Sequence, residues 1–356
     1  MFGRRAARWG RTALAVFAGA ALTLGVAGPA AADPPVTGVP SQVEGGDVKL
    51  ILNGKAKGTS SFTLAVDGES VTAYCIDFHT SIALGKEYRE GTWDASQVKN
   101  LGKVQWVLTH GHPNVEAAKL AEAAGATLPT NVDRKTVNKL LYFGTQTAVW
   151  HFSDGVELGD WQDGKGLLPK AQYQVVQQVR DYLVKNATDQ PEPKPSLTLD
   201  PKSASAAAGA KAGPFTVAGP AGAITLAVEG GQAVDATGKP VTETVNGGQF
   251  WLVGEGTGKV SVTATGSGSV SFGRVFLYPN GKAQKLILGG TAGEKVTAGA
   301  EAAFAAAPAS PATPGGPVLP VTGSSTGIVL GLGAVLLAVG AVTVFFVRRR
   351  RLRFTA

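Results

Sequence analysis

The residue best suited to covalent chemistry in this sequence is Cys75, the only cysteine among 356 residues. A single cysteine cannot close a disulfide within its own chain. It is therefore a buried inert thiol, a link to another chain, or a reactive group. A reactive thiol needs a partner group within reach, so its neighbours decide between these roles.

The four histidines offer two rival chemistries. His79 and His151 are candidates for the imidazole of a Cys-dependent hydrolase or acyl transferase with Cys75 as nucleophile. His79 follows Cys75 by four positions, which is about 13 Å along a strand and too far for a hydrogen bond. His110 and His112 could be two metal ligands, but no third ligand lies near them in sequence. We therefore expect no metal and no cofactor.

Alternating apolar residues predict three strands before these histidines, over 47–52, 61–66 and 71–78. Asp67-Gly68 predicts a hairpin between the last two strands. On the third strand, alternation places Cys75 and Asp77 on the same face.

Helical spacing of apolar residues follows these strands. Asn114 is expected to cap a helix over 115–124. Two short buried helices broken at Gly144 are predicted next, the second over 145–152. A last helix carries Tyr173, Val176, Val179 and Leu183.

Two short motifs stand on these elements. Tyr74-Cys75-Ile76-Asp77 lies on the third strand, and Thr145-Gln146-Thr147-Ala148 opens a predicted helix, with Gln146 at 71 positions after Cys75. Together they resemble the thioester domains of Gram-positive surface adhesins, over about residues 36–190.

The resemblance implies that the side chains of Cys75 and Gln146 are joined as an internal thioester. A thiol attacks a glutamine amide at a useful rate only when the two are held in contact, where effective molarities reach about 10⁵ M or more. Supporting roles are expected for Asp77, Thr145 and Trp150. Asp77 would accept the thiol proton or orient an amide, and Trp150 would help to exclude water.

The formal net charge of +7 arises at the two ends of the chain. Nine of the 33 basic residues lie before residue 33 or after residue 347, which leaves 24 against 26 acidic residues. The body of the protein is therefore slightly acidic, which argues against nucleic acid as a partner. Residues 1–32 have the basic, apolar and small-residue regions of a secretory signal peptide.

Residues 327–347 are uncharged, long enough to cross a bilayer, and followed by a basic tail. Before them stands LPVTG at 319–323. This order resembles the cell-wall sorting signal of Gram-positive surface proteins. The resemblance implies recognition by sortase and transfer of Thr322 to peptidoglycan. Its motif residues are Leu319, Pro320, Thr322 and Gly323.

Composition divides the body of the chain into segments. We predict an α+β thioester domain at 33–190, a proline-rich linker at 191–196, an all-β immunoglobulin-like sandwich at 197–299 and an Ala/Pro-rich stalk at 300–318. Six alternating segments predict the sandwich strands, the last of them over 271–277. Residues 324–356 form the span and its tail.

The expected function is covalent adhesion by a cell-wall-anchored, extracellular protein. An amine of a partner, such as a lysine on a host, a neighbouring cell or a matrix protein, would attack the thioester once, so the protein would be spent and not an enzyme. The alternatives are a structural wall protein, or the Cys-dependent transferase or hydrolase.

Overall fold

The computed structural model describes residues 36–306, which all belong to one compact unit. The predicted signal peptide, the LPVTG motif and the predicted span lie outside these residues. Within 36–306, no helix is both long and apolar enough to cross a membrane.

The described residues form five helices and 15 strands. The helices are α1 (Trp93–Ser96), α2 (Leu101–His110), α3 (Ala117–Ala123), α4 (Arg134–Asp154) and α5 (Lys170–Asn186). The first strands are β1 (Thr37–Leu52), β2 (Lys55–Val66), β3 (Glu69–Cys75) and β4 (Tyr88–Gly91). The later strands are β5 (Thr198–Asp200), β6 (Ser203–Ala207), β7 (Ala212–Ala218), β8 (Ile224–Glu229), β9 (Gly231–Val234), β10 (Glu243–Thr244), β11 (Gln249–Gly254), β12 (Gly258–Gly266), β13 (Val275–Leu277), β14 (Leu286–Leu288) and β15 (Val296–Ala305).

Six strands close into a barrel in the order β1-β2-β3-β14-β13-β4, and all neighbours are antiparallel. Tight turns at Asn53-Gly54 and Asp67-Gly68 join its first three strands, and all four residues have positive φ. Two-residue turns of this kind match the twist of antiparallel strands. The predicted hairpin at Asp67-Gly68 is therefore confirmed.

The barrel takes two strands from the second half of the chain, which differs from the sequence prediction. Residues 271–277 were predicted to be a sandwich strand, but β13 pairs with β4 and β14 pairs with β3. The side chains of Val275, Phe276 and Ile287 are fully buried in the core that the barrel shares with the helices. Alternation shows that a segment is a strand but does not show which sheet it joins.

The helices pack against the barrel and share its core, which confirms the predicted mixture of helix and sheet in the first region. The two short helices predicted around Gly144 are wrong, because α4 is one continuous helix. A Cβ at Gly144 would lie 2.6 Å from Val179 of α5. Glycine is therefore required there for close packing of two helices, and it does not end either helix.

The helix predicted over 115–124 is shorter and lacks the predicted cap. It begins at Ala117, and Asn114 instead donates from Nδ2 to the carbonyls of Leu108 and Gly289. Asn114 therefore joins the helical region to the segment after β14.

The second region contains two sheets around a separate core. Their orders are β10-β8-β12-β15-β6 and β5-β7-β11-β9, and β6 with β15 is a parallel pair. This confirms a two-sheet β region, while its immunoglobulin-like topology stays a prediction. The stalk predicted from residue 300 begins too early, because β15 runs to Ala305. Alternate side chains face the core there, and all but the last are small: Ala298, Ala300, Ala302 and Phe304.

The predicted linker is packed between the two regions. The backbone N–H of Lys194 donates to the carbonyl of Gly219 at 2.8 Å. A carboxylate oxygen of Glu192 accepts from the backbone N–H of Trp93 at 2.7 Å. The segment therefore contacts both regions.

Candidate functional site

The two residues singled out by the sequence motifs lie side by side. Cys75 is the last residue of β3 and Gln146 lies in the middle of α4, and both are about 1% exposed. We call these two residues the Cys–Gln pair.

Two hydrogen bonds join the pair. The backbone N–H of Cys75 donates to Oε1 of Gln146 at 2.9 Å, and Nε2 of Gln146 donates to the carbonyl of Cys75 at 2.9 Å. The first bond draws electron density toward Oε1, which leaves the side-chain carbonyl carbon more open to attack. It also provides a donor for the negative charge that this oxygen carries in a tetrahedral intermediate.

The Gln146 side chain has access to the Cys75 backbone because β3 separates from β2 just before this point. Their ladder ends at the pair of Phe62 with Ala73. The hydroxyl of Tyr142 enters the gap, where it accepts from the Phe62 N–H at 3.2 Å and donates to the Ala73 carbonyl at 2.8 Å. Tyr142 precedes Gln146 by four positions, so both side chains leave the same face of α4.

Burial raises the pKa of the Cys75 thiol far above its ordinary value, and the carboxylates of Asp154 and Asp77 raise it further. A free thiolate is therefore strongly disfavoured at this position. Attack by the sulfur requires that its proton leaves in the same step, and a neutral acyl-sulfur group suits the site better than a charged one.

Thr145 contributes by connecting the two motifs through His112. Its hydroxyl accepts from the backbone N–H of His112 at 3.0 Å and donates to the Leu141 carbonyl at 2.9 Å. The hydroxyl of Tyr74 donates to the His112 carbonyl. The backbone of His112 is therefore bonded to the residue before each member of the pair.

Asp77 does not lie where strand alternation placed it. Since β3 ends at Cys75, the alternation stops there, and Asp77 follows in a loop. Its carboxylate accepts from the Thr80 hydroxyl at 2.8 Å. It remains close enough to raise the pKa of Cys75, but its predicted role as proton acceptor remains a prediction.

Trp150 lies one helical turn beyond Gln146 and is 3% exposed. Its ring meets that of Phe78 edge to face, with centroids 5.0 Å apart. Because Trp150 follows Gln146 by four positions and Phe78 follows Cys75 by three, these two rings lie on the side of the Cys–Gln pair toward the end of α4. The buried indole N–H of Trp150 has no acceptor among residues 36–306.

The histidines have other neighbours than a catalytic thiol would require. His79 is exposed, His110 stacks on Trp106, and His151 contacts Glu157 at 2.9 Å. Burial lowers the pKa of His112 to about 4, so its ring is neutral near pH 7. No cluster of three metal-ligating side chains occurs in the described part of the chain.

The sequence analysis gave three contributors no role at this site. Tyr142 and Asp154 flank Gln146 on α4, and His112 reaches the site from the end of α2. The spacing of Tyr142 from Gln146 was a usable signal, because residues four apart share a helix face. His112 had no comparable signal, since its contacts come from the folded backbone.

A model of a known protein family matches the region that contains this site. Residues 72–189 match the family model described as "TED: Thioester domain", and this range contains both members of the Cys–Gln pair. No curated protein matches the chain.

Several solved structures are also similar to the chain. The thioester domain of the Enterococcus faecium TIE86 protein is 15% identical with a TM-score of 0.34, covering 77% of this chain and 98% of that one. The Bacillus anthracis TIE protein is 15% identical with a TM-score of 0.37, covering 76% of this chain and 49% of that one. The N-terminal domain of the Streptococcus pyogenes pilus tip adhesin Cpa is 12% identical with a TM-score of 0.30, covering 64% and 96%. Likeness at these values carries no conclusion about function. Residues 72–189 are similar to the thioester domain family through the match to its model.

Proposed function

We propose that the Cys–Gln pair forms an internal thioester and that the protein uses it once, to join itself covalently to an amine on a partner. The observation that carries this proposal is the pair of hydrogen bonds between the Gln146 carboxamide and the Cys75 backbone. They hold the electrophile beside the cysteine, so the reaction benefits from proximity. The thioester family match supports the same reading.

Formation of the thioester exchanges one leaving group for another. Sγ of Cys75 bonds to Cδ of Gln146, the bond from Cδ to Nε2 breaks, and Nε2 leaves as ammonia with the thiol proton. The Cys75 N–H stabilises charge on Oε1 during this step. Since burial disfavours both a thiolate and free water, the product is a neutral acyl group shielded from hydrolysis.

Use of the thioester transfers the acyl group to nitrogen. The neutral amine of a partner lysine attacks Cδ, the bond from Cδ to Sγ breaks, and the amine proton ends on the sulfur. The product is an amide that links the two proteins, with Cys75 again a thiol. No group returns the protein to its first state, so each molecule reacts once.

Anchoring completes the proposed role. Sortase would cut between Thr322 and Gly323 and join Thr322 to peptidoglycan, which places the Cys–Gln pair outside the cell. The partner would then be attached to the wall through covalent bonds alone.

The test is stoichiometric labelling by an amine. The full chain in detergent is incubated with a fluorescent primary alkylamine, and we expect one label per chain, on Gln146, with no turnover. Cys75→Ala and Gln146→Ala should take up none. Repeated release of product from a thioester or peptide substrate would instead favour a Cys-dependent enzyme, and absence of label on the wild-type chain would contradict the proposal.

A further inference from the structure

Two aromatic layers lie on opposite sides of the Cys–Gln pair along α4. The tyrosine layer consists of Tyr74 and Tyr142, stacked with centroids 4.7 Å apart. The Phe–Trp layer consists of Phe78 and Trp150. The segment from Ala73 to Phe78 runs parallel to α4, because Ala73, Cys75 and Phe78 bond in turn to Tyr142, Gln146 and Asp154. The tyrosine layer therefore lies before the pair along the helix, and the Phe–Trp layer lies after it. Each layer marks a route by which an incoming amine could reach the pair.

The tyrosine layer is held by hydrogen bonds. Both rings are buried, the Tyr74 hydroxyl donates to the His112 carbonyl, and the Tyr142 hydroxyl bridges β2 and β3. A cavity of about 550 Å³ lies on its outer side, lined in part by Thr72 and Lys139. Passage from this cavity would break buried hydrogen bonds and leave their partners unsatisfied, which is costly.

The Phe–Trp layer is held more loosely. The Phe78 side chain is partly exposed and has no polar atom to satisfy. Hydrogen bonding fixes only its backbone, whose N–H donates to Asp154 at 3.0 Å, while its ring packs edge to face on Trp150. Turning the ring aside would therefore cost its packing on Trp150 but would break no side-chain hydrogen bond, and it would leave the backbone and the Cys–Gln pair in place.

The chemistry around Phe78 also suits an ammonium group. Nζ of Lys57 lies 4.5 Å from the centroid of the Phe78 ring, in the arrangement of a cation–π contact. The carboxylates of Asp77 and Asp154 add negative potential on this side. Lys57 is exposed and carries the same functional group as the lysine of a partner.

We propose that the partner's lysine enters over Phe78, and that Lys57 occupies this entrance as a competing cation. This inference rests on the proposed function. It adds the route by which the amine enters and the side chain that slows its entry. The entering ammonium displaces that of Lys57 and gives one proton to water. Its nitrogen then attacks Cδ of Gln146 as the bond to Sγ breaks, and one proton passes from this nitrogen to the sulfur.

The first test compares labelling rates with a fluorescent primary alkylamine on the full chain in detergent. The ammonia loss of each variant is measured beforehand, so that a failure to form the thioester is distinguished from a failure of this inference. Lys57→Met should label about two- to fivefold faster, the range expected for loss of an exposed cation–π contact. Lys57→Arg keeps a cation over the ring and should label at the wild-type rate.

Two lysines serve as matched controls. Lys103 lies over the Phe152 ring at 5.6 Å, and Lys139 lines the cavity beside the tyrosine layer. Lys103→Met and Lys139→Met should both leave the rate unchanged. A faster rate in Lys139→Met together with a wild-type rate in Lys57→Met would overturn the proposal and place the entrance at the cavity.

A second measurement tests the aromatic face itself. Phe78→Leu keeps an apolar cover but removes the π surface. We expect slower labelling by the cationic alkylamine relative to hydroxylamine, which is uncharged near neutral pH. An unchanged ratio of the two rates would show that Phe78 does not select the ammonium and would contradict the inference.

Discussion

The carboxamide of Gln146 takes the place of a neighbouring strand at Cys75. It accepts from the Cys75 N–H and donates to the Cys75 carbonyl, both at 2.9 Å, where β2 no longer pairs with β3. A helix side chain thus completes the backbone bonding of a strand end. This arrangement positions the Cys–Gln pair through the backbone, so the thiol itself remains free to react.

Tyr142 is expected to stabilise this opening between β2 and β3. Tyr142→Phe removes the hydroxyl that hydrogen-bonds both strands. The Phe62 N–H and the Ala73 carbonyl then lack this hydrogen-bond partner. We predict a loss of about 1–3 kcal/mol in the free energy of unfolding, measured by urea denaturation. Tyr182→Phe is the control, since the Tyr182 hydroxyl makes no hydrogen bond within residues 36–306. Equal stability of the two variants would contradict this role.

The thioester region is expected to need the chain beyond the linker. A chain ending at Gln190 lacks β13 and β14, which complete the barrel beside β3. We predict that it shows no cooperative thermal unfolding by circular dichroism, because the buried edge of β3 and its apolar side chains become exposed. A chain ending at Ala306 keeps both strands and should unfold cooperatively. Cooperative unfolding of the shorter chain would show that the barrel closes without them.

His112 is expected to make stability depend on pH. Burial lowers its pKa to about 4 in the folded protein, against 6.5 for a free imidazole. As pH falls from 6.5 to about 4, the unfolded chain gains a proton that the folded chain does not, so the contribution of His112 to the free energy of unfolding decreases. Below about pH 4 this contribution is constant. The loss is about 2–3 kcal/mol, discounted for the partial exposure of the ring.

The measurement is the free energy of unfolding at several pH values, for the wild type and for His112→Gln. Subtracting the two isolates His112 from the carboxyl groups that titrate in the same range. The difference should change between about pH 6.5 and 4. A difference that does not change with pH would contradict the prediction, because it would mean that the His112 ring binds a proton as readily in the folded chain as in the unfolded one.

The sequence predicted the local elements of the site better than their assembly. The Asp67-Gly68 hairpin, the strand that carries Cys75 and the helix ending near Leu183 follow from local pattern. The insertion of β13 and β14 into the barrel does not, because their pairing partners lie about 200 residues earlier in the chain.

Small residues account for two further errors. Gly144 looked like a helix breaker, but it is the contact point with Val179. The alanines of β15 looked like a stalk, although alternate ones are buried. In both cases a small side chain fits a close approach that only the tertiary structure shows.

The central claim is that Cys75 and Gln146 are joined, and the intact mass of the chain tests it most directly. We predict that the wild-type chain is lighter than its sequence mass by one ammonia, and that Cys75→Ala and Gln146→Ala both have their full sequence mass. After unfolding at neutral pH, the wild-type chain should also resist alkylation at Cys75 until the bond is cleaved. A full-mass wild-type chain, or a lighter chain whose cysteine is freely alkylated, would contradict the thioester.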